Sequence, residues 1–189
     1  KWGKDDKDLL NEAIENLNLE VKNIERIINT LFLNSNLEKI TVKKEIIDVK
    51  QLFEKIKKDY ELLNIKNEII IKVDNEINIF VDKNLISEVL RGLIDNCIKY
   101  SVGNIELLAR EDEIIEIIVR NYGEGIPEEE KKNLFNRNFQ GKNAKKGSGL
   151  GLPIIKDIIL LNDGKIYIEN RKDGIDVKIQ FKKIDYKNE

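Results

Sequence analysis

The chain has 189 residues, 41% hydrophobic and 36% charged, and its 33 Lys and Arg against 35 Asp and Glu leave a net charge of −2. That is enough for one ordinary domain with an appendage, and the near-neutral balance carries no domain-wide basic footprint, so no nucleic-acid partner is expected. The absence of His excludes His-based acid–base and nucleophile pairs and His-ligated zinc from these residues, and a single cysteine, Cys97, excludes an internal disulfide and points weakly to a reducing compartment.

Residues 1–40 read as one long helix. Leu10, Ile14, Leu17, Val21, Ile24, Ile28 and Leu31 alternate steps of four and three, an a/d seam flanked by polar residues. Such a narrow seam cannot bury itself on a lone helix, so a dimerising helical bundle is expected. Residues 41–189 read as a second domain. Lys44–Asp48 is strand-like, and Val49, Leu52, Phe53, Ile56, Tyr60 and Leu63 recur at helical spacing. Ile69–Val73 and Ile77–Val81 read as strands joined by a hairpin-like Asp74-Asn75-Glu76. Asp82 can cap a helix over Lys83–Tyr100. Strands near Asn104–Arg110 and Glu113–Arg120 follow, then a Gly-Glu-Gly turn and a short helix over Glu128–Leu134. Asn136–Ser148 is a polar, Lys- and Gly-rich loop, Leu150–Leu161 a helix, and Lys165–Asn170 and Ile175–Lys182 the closing strands. This order predicts an α/β sandwich, a mixed sheet with helices on one face. No run of eighteen apolar residues and no signal peptide is present, and the polar start without Met reads as part of a longer protein.

Three segments suit the binding of a phosphorylated ligand. Asn96 and Lys99 share one helix face, where an amide oxygen can ligate a hard cation and an ammonium can meet phosphate. Gly123 and Gly125, after a strand, permit close backbone approach by a ligand. Gly147-Ser148-Gly149-Leu150-Gly151-Leu152 leads into a helix and offers successive N–H groups to an anion, without the Gly-Lys-Ser/Thr ending of a P-loop or the strand context of a dinucleotide fold.

In order and spacing these segments resemble the N, G1 and G2 boxes of the GHKL (Bergerat) ATP-binding fold, and most of all those of bacterial sensor histidine kinases. Leu93–Ser101 is similar to the N box, Asn121–Pro127 to G1, Leu134–Gly141 to an F box and Gly147–Leu152 to G2. The resemblance implies ATP and Mg2+ as cofactors, with Asn96 the metal ligand and Lys99 a phosphate contact. It implies that Tyr100, Asn121, Gly123, Gly125 and Ile126 form the nucleotide pocket. Lys142, Gly147, Ser148, Gly149, Leu150, Gly151 and Leu152 would hold the triphosphate under a lid over 136–146. Lys99 and Arg137 are the expected catalytic cations. It further implies transfer of the γ-phosphoryl group to a histidine outside these residues, and a response-regulator receiver domain as partner. A homodimer through the N-terminal helix and a cytoplasmic position in a membrane-anchored sensor complete the implication. Three departures matter: Asn121 replaces the family's Asp, Gly92 stands where kinases carry Asn and hydrolysing relatives Glu, and Gln140 replaces a lid Arg. Arg137, Lys142, Lys145 or Lys146 can supply the missing lid charge. These departures keep open the alternative of a nucleotide-binding pseudokinase that signals through dimer geometry. Cys97 is expected to pack, and Tyr122 to be a loop aromatic.

Overall fold

The computed structural model describes residues 10, 41–63, 65–73, 75–141 and 149–184. The heptad helix, Leu10 apart, lies outside them, and the described strands and helices belong to the unit that begins at Thr41. Strand β1 (Lys44–Asp48) leads into helix α1 (Val49–Glu61), where the Asp48 side chain accepts from Gln51 N at 2.9 Å. Val49, Leu52, Phe53, Ile56 and Tyr60 form the buried stripe of α1 at the three-and-four spacing expected of an amphipathic helix. Strands β2 (Ile69–Val73) and β3 (Asn78–Asp82) precede helix α2 (Lys83–Tyr100). The Asp82 carboxylate caps α2, accepting from Asn84 N and Leu85 N, and also from Lys43 N at 2.9 Å. Then come β4 (Ile105–Glu111), β5 (Ile114–Tyr122), α3 (Glu128–Lys131), α4 (Gly151–Leu161), β6 (Lys165–Arg171) and β7 (Gly174–Lys182).

The main sheet is mixed, as expected, with the order β2-β4-β5-β7-β6: β2 and β4 are parallel and the other neighbours antiparallel. Alternation assigns its two faces. Ile105, Leu107, Ile115, Ile117, Val119, Ile179 and Phe181 point into the core, where α2 and α4 supply Leu90, Leu93, Ile94, Ile155, Ile158 and Ile159. The opposite face is polar, with Glu106, Glu116 and Asp176 paired to basic side chains.

Two expectations are corrected. The Asp74-Asn75-Glu76 signal does not make a hairpin: β3 pairs antiparallel with β1 (Lys44 opposite Asp82) in a separate two-stranded sheet, while β2 joins β4. A local turn signal reverses the chain without fixing which edge each strand joins. The short acidic-start helix is also briefer than expected, ending at Lys131, with turns through Phe135. Among the described residues, no helix is long and apolar enough to cross a membrane.

Candidate nucleotide-binding site

The site assembles at the C-terminal end of α2. Two anchors set the direction of α4 against α2. The Asn162 side chain, just past the end of α4, accepts from Asp82 N at 2.7 Å at the start of α2. Farther along, a Cβ on Gly92 would lie 3.2 Å from Ile155 Cδ1. The helices therefore run antiparallel, and the N-terminus of α4 comes to the same end as Asn96 and Lys99. The glycine at 92 thus has a packing reason: a longer side chain there would press on α4.

Helix α2 is fixed from behind by α1. The Tyr60 hydroxyl donates to Asp95 Oδ1 at 2.6 Å, and Arg91 pairs with Asp59. Burial, and then the Asp95 carboxylate, push the Tyr60 phenol far above its ordinary value. Cys97 is buried among the apolar residues of α2, as expected, and burial pushes its thiol up to about 12. Asn96 and Lys99 are half-buried, and Tyr100 is exposed.

The end of β5 is stitched to the end of α2. Val102 N donates to Tyr122 O at 2.8 Å, and Tyr122 N donates to the Ser101 hydroxyl at 3.2 Å. This places Asn121 beside the helix end. β5 runs two residues farther than expected, so Asn121 lies within the strand, on its core-facing side, opposite Ile175. Asn121 is buried, and among the described residues its side-chain amide has no hydrogen-bond partner. An amide placed so suits a ligand that brings a complementary edge. Gly123 has φ 148°, its N–H donates to Asp173 O at 3.1 Å, and a Cβ there would meet Tyr100 O at 3.2 Å. Only glycine fits both demands.

Tyr122 is not the loop aromatic that was expected. It ends β5 on the polar face, where its hydroxyl donates to Glu106 Oε1 at 2.9 Å and the Arg171 guanidinium lies 5.3 Å from its ring centre. Glu106 also pairs with Lys72 and Arg120, and Arg120 makes a two-point pair with Asp176 at 2.8 and 2.9 Å. Burial by itself raises the Glu106 carboxyl, but the hydrogen bonds from Lys72 and Tyr122 and the Arg120 charge outweigh it and hold the group below its ordinary value.

At the third segment, Lys142, Gly147 and Ser148 lie outside the described residues, as do Lys145 and Lys146. Gly149 has φ 68°, and a Cβ on it would meet Phe139 O at 3.0 Å, so this glycine rests on the turn at Asn138–Phe139. Leu150 is the N-cap of α4 and makes no side-chain capping bond. Gly151 is exposed, with nothing within 4 Å of a Cβ position. The first turn offers the N–H groups of Gly151 and Leu152, while Pro153 contributes none and so loses no bond there. Arg137 forms an exposed pair with Asp157 of α4 at 3.5 Å.

The two-layer fold, with Asn121 beside the C-terminal end of α2 and the N-terminus of α4 brought to the same end, is that of a GHKL-type ATP-binding domain. Residues 81–185 match the family described as "Histidine kinase-, DNA gyrase B-, and HSP90-like ATPase", and the chain belongs to that family. It is 30% identical over 204 residues to the signal transduction histidine-protein kinase ArlS of Staphylococcus aureus, covering 96% of this chain and 43% of that one. The chain thus spans less than half the length of the curated relatives it matches. Among solved structures it is similar to the catalytic domain of histidine kinase ThkA in a nucleotide-free form (TM-score 0.66, 26% identity, 75% of this chain and 96% of that one). The fold alone is shared with full-length ShkA in complex with AMPPNP (TM-score 0.75, 17% identity, 92% and 39%) and with ThkA in complex with the response regulator protein TrrA (TM-score 0.71, 22% identity, 90% and 51%).

Sequence reasoning missed Asn170, Asp173 and Ile175, which reach the site from the β6–β7 hairpin. No motif near them signals this, because their role depends on the pairing of β7 with β5.

Proposed function

We propose that this domain binds ATP with magnesium at the C-terminal end of α2 and supplies the γ-phosphoryl group to a histidine on another segment of a sensor kinase. The observation that carries the reading is the convergence on that end of the Asn121 amide, which has no hydrogen-bond partner among the described residues, and the N-terminus of α4, which has no side-chain cap. The Asn121 side-chain oxygen accepts from the adenine amine, and Tyr100, Gly123, Gly125 and Ile126 line the base pocket. Asn96, at the position of the family's N-box Asn, is the protein ligand for magnesium, its amide oxygen being the kind of donor a hard cation takes. Magnesium, when bound, neutralises phosphate charge.

Lys99 and the N–H groups of Gly147 to Leu152 orient the triphosphate, and Lys142 and Arg137 add positive charge near the transferred group. Phosphoryl transfer needs little else from a protein than such positioning and charge. With no His among the 189 residues, the acceptor lies outside them. A response-regulator receiver domain as the next acceptor, a homodimer through residues 1–40 and a cytoplasmic place in a membrane-anchored sensor belong to the same proposal. The relatives are named histidine kinases, and nothing about them favours the pseudokinase alternative.

Titration calorimetry with ATP and ADP, with and without Mg2+, tests the reading. Magnesium-dependent binding is expected, and no heat and no thermal shift at millimolar nucleotide would overturn it.

A further inference from the structure

Asn170, the penultimate residue of β6, holds the Gly123–Pro127 loop from outside that segment. Its side-chain Oδ1 accepts from Ile126 N at 2.9 Å, and its Nδ2 donates to Ile126 O at 2.7 Å. Nδ2 also lies 3.4 Å from Glu128 Oε1. One primary amide thus pairs with both backbone groups of one residue, as a neighbouring strand would. The fit is close: a Cβ on Gly125 would stand 3.2 Å from both Asn170 Cγ and Oδ1. The same hairpin supplies the Asp173 carbonyl that accepts from Gly123 N. It also supplies Gly174, where a Cβ would stand 2.0 Å from Asn121 O. Lacking regular strand partners, Ile126 takes its backbone bonds from this side chain.

We propose that Asn170 is a positioning residue for the nucleotide base, clamping Ile126 so that the Gly123–Pro127 loop is set before ligand arrives. The idea rests on the ATP-binding reading. A loop held in its binding shape gives up less conformational freedom on binding. Because the clamp touches only the base-side loop, it acts on ligands that carry adenine and not on the phosphate loop at α4.

The test compares the parent chain with Asn170→Ala and Asn170→Asp, titrated with MgATP and with inorganic tripolyphosphate. Amide hydrogen exchange is followed at Ile126. Asn170→Ala should weaken MgATP binding by about fivefold to tenfold, the equivalent of one or two hydrogen bonds of ordinary net strength. Tripolyphosphate affinity and the melting temperature should stay close to the parent's, and Ile126 N–H should exchange faster. Asn170→Asp keeps the acceptor for Ile126 N but turns a second oxygen toward Ile126 O. It should protect that N–H and still weaken MgATP binding. Parent-like MgATP affinity in both variants would overturn the clamp while leaving the ATP reading intact. Equal loss for both ligands would also overturn it, by showing a general effect on the fold. A parent that binds no MgATP would overturn the ATP reading itself, and the clamp's role with it.

Discussion

Asn121 carries the departure from the family pattern with the sharpest chemical consequence. On the proposed reading its amide oxygen accepts from the adenine amine without charge assistance. Asn121→Asp should therefore tighten MgATP binding by roughly 1 kcal/mol, about fivefold, less whatever desolvating the carboxylate costs. Asn121→Ala should weaken it by a similar or larger amount. Neither change should alter tripolyphosphate binding, and parent-like ATP affinity in both variants would move the base pocket elsewhere. Cys97 gives a second, independent check. Burial with a thiol pushed up to about 12 leaves almost no thiolate at pH 8, so a disulfide reagent should label it only after denaturant unfolds the chain. Rapid labelling of the native protein would contradict the placement of Cys97 in the helix core.

Among the elements, the junction of β5 with β7 is the least forgiving. Gly174 sits opposite Tyr122, and a Cβ on it would stand 2.0 Å from Asn121 O and 2.9 Å from Tyr122 Cα. Backbone cannot move aside as a flexible side chain can. Gly174→Ala should cost about 2 kcal/mol or more in a denaturant melt and should weaken ATP binding, because the strand that must shift carries Asn121. By contrast Gly92→Ala presses only on the tip of Ile155, at 3.2 Å, and replaces a helix-interior glycine with a better helix former. Its stability should stay within about 1 kcal/mol of the parent, and a loss as large as that of Gly174→Ala would refute the packing of α4 on α2.

For the whole molecule, the polar face of the sheet decides the acid response. Glu106 and Glu116 are both held below their ordinary value: burial raises each, and hydrogen bonds and positive charges more than reverse it, from Lys72, Tyr122 and Arg120 at Glu106 and from Gln180 and Arg110 at Glu116. A carboxyl that is more acidic in the folded chain stabilises the fold fully above its unfolded pKa and loses that contribution as pH falls through the lower, folded one. The melting temperature should thus be flat near neutrality and fall from about pH 5 downward, through and below the ordinary carboxylate range. Glu106→Gln should melt lower at pH 7 and show a shallower acid slope. A parent whose melting temperature does not change between pH 6 and pH 3 would contradict the pairing on this face.

The amino-acid sequence by itself determined the elements and the family. The period of three and four in α1 and α2, the alternation in β4, β5 and β7, and the capping aspartates Asp48 and Asp82 are local patterns set by residues a few positions apart. The glycine spacing and the Asn96–Lys99 pair are equally local, which is why the family's motifs were legible. Only the tertiary structure decided what depends on distant partners. It separated β2 and β3 into different sheets, because a turn does not choose a strand's neighbour. It placed Tyr122 on the polar face and Asn121 on the core face of one strand, since a strand's alternation gains direction only from what packs on it. Asn170 reaches Ile126 across 44 residues of sequence through side-chain hydrogen bonds that carry no periodic signal, so that contact exists only once β6 has found its edge of the sheet.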